Sequence, residues 1–136
     1  MLKVYTLILI LFTPSLFAEL VVVVAKDSDI TQLDESTVQN IFLSRTNRYP
    51  DGSKAKPIEY KDQNQRNEFY TRLTGKSPKQ LSAYWTSLIF SGKGKPPKKI
   101  DDVNSLVNKI SNDNGFITYM NSEQINDNVK VVYSFK

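Results

Sequence analysis

The sequence predicts a single α/β domain with the element order β-α-β-α-α-α-β-β. Three observations carry that reading. Residues 20–25, "LVVVVA", form an unbroken apolar, mostly β-branched run, as expected of a strand buried on both faces of a sheet. Stretches with helical spacing and recognisable caps follow it, and "FITYM" and "VKVVYSF" close the chain as two further strands.

Each element has a local cause. After the first strand, Asp34 is placed to cap a helix, with Glu35 beside the positive end of its dipole and Leu33 and Val38 at the two positions of a hydrophobic staple. Val38, Ile41 and Phe42 give that helix one apolar face, and it should end near Ser44. Pro50-Asp51-Gly52 is a turn, and residues 57–60 form a short strand after it. Asp62 caps the next helix, with Gln65 at capping-box spacing, Phe69, Tyr70 and Leu73 on one side, and Gly75 as the stop. Ser77-Pro78 starts a third helix as cap and first helical residue. There Leu81, Tyr84, Trp85, Leu88 and Ile89 repeat at i, i+3, i+4, i+7 and i+8, so Tyr84 and Trp85 read as core. Asp101 is expected to cap the last helix, with Val103, Leu106, Val107 and Ile110 in register; "NDNG" ends it.

Residues 1–18 read as a cleavable export signal. Lys3 is the positive start, residues 4–12 are an apolar run, and Ala18 precedes Glu19 at the cleavage point. The run is shorter than the roughly 20 residues a membrane span requires. The domain is therefore expected over residues 19–136, in the periplasm of a bacterium, and not spanning the membrane.

Composition narrows the chemistry. The chain contains no cysteine and no histidine. Disulfides and thiolate chemistry are excluded, and so are the commonest general base and the commonest metal ligand. No pair of carboxylates has a spacing that argues for acid–base catalysis, so no catalytic residue, metal or cofactor is assigned. The net charge of +4 conceals an asymmetry: residues 45–99 hold thirteen Lys/Arg against four Asp/Glu. A belt of that sign steers anions or acidic partners, or is simply a solvated surface.

Three places are candidates for an anion. The first is "FSGKGKPPKK", where the amides of Gly92 and Gly94 with Lys93 or Lys95 could form a nest; the alternative is a flexible connector. It is not a nucleotide-binding loop. Ser87 and Ile89 stand where the first glycine of that motif would fall, and Pro96 follows Lys95 where a hydroxyl is needed. It also lacks interleaved aromatics to stack bases, so no nucleic-acid partner is expected. The second candidate is the start of the second helix, where free amides could be joined by Gln63, Asn64 and Arg66, in competition with the Asp62 cap. The third is Ser28, in the loop beyond the first strand, flanked by Asp27 and Asp29.

Several of these segments resemble the phosphate-type substrate-binding proteins of ABC importers. "LDESTVQNIFLSRTNRYPDGSKAKPIEY" is similar to the stretch where a short helix reading "IFxG" and an Asp-Gly turn precede a strand. "NDNGFITYM" is similar to the family's "GxIGY" strand entry, with Thr118 in place of the second glycine. "YW…FSGxGxPP" corresponds to Tyr84-Trp85 through Pro97. The resemblance runs along residues 19–136 and is closest to short, single-domain members. It implies one lobe of a type II periplasmic-binding-protein fold, a mixed sheet flanked by helices. It also implies a non-enzymatic periplasmic role in ABC-type transport, with phosphate or a related oxyanion as ligand. Two departures accompany it. A single lobe is about half of a binder that closes two lobes on its ligand, and Asp62-Gln63-Asn64-Gln65-Arg66 stands where the family carries a Ser-Gly-Thr element. The alternative expectation is a ligand-free accessory module that docks on a periplasmic or membrane protein partner.

Overall fold

A computed structural model describes Ile8 and residues 19–135. The expected export signal, residues 1–18, lies outside the described residues apart from Ile8. The elements are β1 Leu20–Ala25, α1 Glu35–Phe42, β2 Lys56–Tyr60, α2 Gln63–Thr74, α3 Pro78–Phe90, β3 Lys98–Ile100, α4 Val103–Ser111, β4 Phe116–Asn121 and β5 Val129–Ser134. The five strands form one mixed sheet in the order β3-β2-β4-β1-β5. β2 runs parallel to β3 and β4, whereas β1 is antiparallel to both of its neighbours, β4 and β5. No helix among the described residues is long and apolar enough to cross a membrane.

β1 is buried along its whole length because the sheet is covered on both sides. Leu20, Val22 and Val24 face a core built with α1, α2 and α3, while Val21 and Val23 face the core under α4. Each such side chain withdrawn from water stabilises the fold by about 1.5–3 kcal/mol. On the larger side the centre is aromatic: the Phe69 and Tyr119 rings stack at 3.8 Å, and Phe42 meets Phe69 edge-on at 5.0 Å. Trp85 is buried against Tyr70, so its helical spacing reports the core, as expected. Ile89 continues the same spacing but is 55% exposed, because α3 outruns the surface it packs on.

Three local expectations need correction. A strand not foreseen, β3, lies between α3 and α4, so the element order is β-α-β-α-α-β-α-β-β. It is three residues long at the sheet edge and carries two exposed lysines, features that blunt an edge and remove any apolar alternation. The cap of α4 is Asp102 rather than Asp101; its carboxylate accepts from the Ser105 amide at 2.8 Å. The end of α1 at Phe42, capped by Leu43, agrees with the expected stop near Ser44, where φ +57° turns the chain. Asp62 caps α2 without a reciprocal bond from Gln65, whose side-chain oxygen is buried with no partner; both halves of a capping box occur instead at Ser77 and Gln80.

Candidate functional site

The direction of β1 decides which candidates can meet. β2 and β4 start together, with Lys56 beside Phe116, and β1 runs the other way. The carboxyl end of β1, with Ser28 beyond it, therefore lies where β2 and β4 begin. The start of α2 lies at the opposite end, where β2 finishes. Ser28 and the Gln63, Asn64 and Arg66 group are not brought together.

The start of α2 is already satisfied by the protein's own carboxylates. Asp62 accepts from the Gln65 amide at 3.1 Å. Arg66 turns inward, its Nε 3.1 Å from Oε2 of Glu59, a carboxylate with no solvent exposure. The Tyr70 hydroxyl donates to the other Glu59 oxygen, and the guanidinium lies 5.1 Å from the centre of the Tyr70 ring. Burial pushes the Glu59 carboxyl up, against the lowering effects of Tyr70 and Arg66. Arg66 is thus the counter-ion of a buried acid. Gln63 is exposed and donates to Asn67 at 2.8 Å; Asn64 is exposed. An oxyanion here would face Asp62, with Glu59 behind it. Asp62→Ala should cost about 1 kcal/mol through loss of the cap, read as a lowered midpoint in urea.

Ser28 is also committed. It is buried, its Oγ accepts from the Ile30 amide at 3.1 Å, and its carbonyl accepts from the Lys130 ammonium. The neighbouring cleft, of about 300 Å³, carries Lys54 and Lys56 but also Asp29, Asp51 and Asp113. Lys56 is salt-bridged to Asp113, which lies below the ordinary carboxylate range because of hydrogen bonds from Lys56 and the Gly115 amide. Three acids against two bases do not attract an anion.

The loop at residues 92–95 differs. Its expected nest is not formed as such, because the Gly92 amide donates to the Ile89 carbonyl and the Lys93 amide to that of Leu88, closing the end of α3. Gly92 takes φ +70°, which suits that helix stop. Gly94 sits against Ser44, where an added Cβ would come within 3.2 Å of the serine Cβ, and the Ser44 hydroxyl donates to the Lys95 carbonyl at 2.6 Å. The loop is so held along a cleft of about 800 Å³ at the end of the sheet where β2, β3 and β4 begin.

Six cationic side chains line this cleft: Arg45, Lys56, Lys93, Lys95, Lys98 and Lys109. No acidic side chain lines it. Lys56 is paired with Asp113, and among the described residues none of the other five forms a salt bridge. Lys56 and Lys109 both lie over the Phe116 ring, at 4.2 and 5.4 Å from its centre, which fixes two of the ammonium groups. Sequence reasoning named Lys93 and Lys95, passed over Lys98 in the same stretch, and missed Arg45 and Lys109, which only the fold assembles. For Arg45 the one signal available was the excess of positive charge over residues 45–99; Lys109 falls outside that range.

No family model matches the chain, and no curated protein matches it by sequence. Solved structures do match it. An ABC-type phosphate transport receptor from Vibrio cholerae superposes with a TM-score of 0.67 at 12% identity, over 85% of this chain and 45% of the receptor. A candidate phosphate ABC-transporter substrate-binding protein from Clostridium perfringens, solved with bound phosphate, gives 0.64 at 12% identity, over 85% and 44%. A candidate phosphate-binding protein from Planctomyces limnophilus gives 0.59 at 11% identity, over 85% and 40%. These are described as receptors and binding proteins, not as enzymes. The chain spans less than half the length of each of them. Its fold is one lobe of the type II periplasmic-binding-protein architecture, as the sequence resemblance implies.

Proposed function

We propose that the chain is a non-enzymatic periplasmic binding module of the phosphate-receptor type, which holds phosphate or a related oxyanion at the cationic cleft and serves ABC-type phosphate transport. The observation that carries this reading is the set of five cations without carboxylate partners, gathered around one cleft on a fold shared with phosphate-binding proteins. Clustered like charges raise the local potential and concentrate anions. Because the cleft is open, the attraction is screened by salt over about 10 Å at 0.1 M ionic strength. Of the anion sites foreseen from the sequence, the α2 start and Ser28 are opposed by neighbouring carboxylates. That leaves the loop carrying Lys93 and Lys95.

Thermal unfolding tests the reading. At low ionic strength, millimolar phosphate should raise the midpoint, and ligand at 100 times its Kd adds about 2.7 kcal/mol. The double variant Lys95→Glu/Lys98→Glu should lose the response, while Gln63→Ala/Asn64→Ala should keep it. A midpoint indifferent to phosphate and sulfate at any salt concentration would contradict it.

A second reading is favoured by the start of α2, whose Gln65 amide and Arg66 are already engaged by Asp62 and Glu59. In it the chain is an accessory module whose cationic cleft meets a periplasmic or membrane protein. It predicts no phosphate response and a partner released by salt.

A further inference from the structure

We infer that the cationic cleft takes an anion with several phosphate groups on one chain, a soluble oligophosphate, in preference to a single orthophosphate; the inference rests on the cleft being the anion site. The first reason is charge. A phosphate group brings about −1.5 to −2 at neutral pH. One orthophosphate therefore offsets about two of the five unpaired cations and leaves the others repelling one another.

The second reason is distribution. The cations come from separate segments: Arg45 beyond α1, Lys93 and Lys95 in the loop, Lys98 at the start of β3, and Lys109 in α4. They surround about 800 Å³, within the roughly 300–1,000 Å³ usual for small-molecule pockets. Lysine presents a compact ammonium on a flexible stem, suited to successive phosphates along a chain and not to one bidentate contact.

The third reason is the contrast with the adjoining cleft. Lys54 and Lys56 are interleaved there with Asp29, Asp51 and Asp113. The acid-free lining is therefore particular to the larger cleft and not a habit of that end of the sheet. The source of the phosphates is a soluble chain and not a lipid surface. Ile89 and Phe90, the exposed large apolar side chains of α3, do not line the cleft, whereas membrane docking needs apolar groups beside the cations.

Titration calorimetry at matched ionic strength, with orthophosphate and tripolyphosphate as probes, tests this. Tripolyphosphate should bind about tenfold more tightly, as expected when two further exposed ion pairs form. Arg45→Ala/Lys98→Ala should remove that preference while unfolding at the wild-type temperature without ligand. Equal affinities for the two probes would overturn the inference and leave the anion-site reading standing. Binding of neither would remove both. Binding only to vesicles containing phosphatidic acid, lost on Phe90→Ser, would also overturn it.

Discussion

Arg66→Ala lowers the unfolding free energy by about 3–5 kcal/mol at neutral pH, among the largest effects expected of any single substitution here. The cause is what remains. Glu59 is fully buried, and without the guanidinium 3.1 Å away its charge keeps only the Tyr70 hydrogen bond and the field of Lys99. Replacing both partners, as in Glu59→Gln/Arg66→Met, should restore most of the loss, since a buried pair contributes little net stability over an uncharged pair of similar size. The pH dependence has a definite sign. Burial raises the Glu59 carboxyl, so its contribution to stability falls as pH climbs from the ordinary carboxylate range through the folded-state value. Removing Arg66 removes a lowering influence, so the deficit of the variant should shrink on acidification. Urea unfolding at neutral and acid pH checks both statements. A loss under about 1 kcal/mol, typical of exposed pairs, would contradict the buried pairing.

Phe69→Ala should cost a similar 3–5 kcal/mol for a different reason. The ring has no solvent exposure and stacks on Tyr119 at 3.8 Å, with Phe42 at 5.0 Å and Tyr70 at 5.3 Å around it. Its removal exposes no charge; it leaves a cavity where α1, α2 and β4 converge. The loss should therefore be nearly independent of pH, unlike that of Arg66→Ala. Phe69→Leu, which keeps most of the volume, should cost a smaller part. Midpoints in urea at two pH values separate the two mechanisms.

What the sequence made legible was local or periodic. The β-branched run at residues 20–25 gave β1 with burial on both faces, and the caps at Asp34, Asp62 and Ser77 were each visible from side-chain type and spacing. What it hid was relational. The direction of β1 is set by its pairing with β4 and β5, so Ser28 and the start of α2, both named as anion candidates, fall at opposite ends of the sheet. Arg66 looked available because Glu59, seven positions earlier on β2, gives no hint that it is buried. β3 escaped because Lys98 and Lys99 carry an edge strand's backbone pairing with no apolar alternation. The cleft combined both cases: Lys93, Lys95 and Lys98 sit in one recognisable stretch, while Arg45 and Lys109 join them only through the fold.

The most direct test is to map phosphate-induced changes in backbone amide NMR shifts along the chain. The cleft reading predicts perturbations around residues 44–46, at 93–95 and 98–99, and near Lys109, with residues 62–66 unchanged. Perturbations confined to residues 62–66 would contradict it and return the anion to the start of α2.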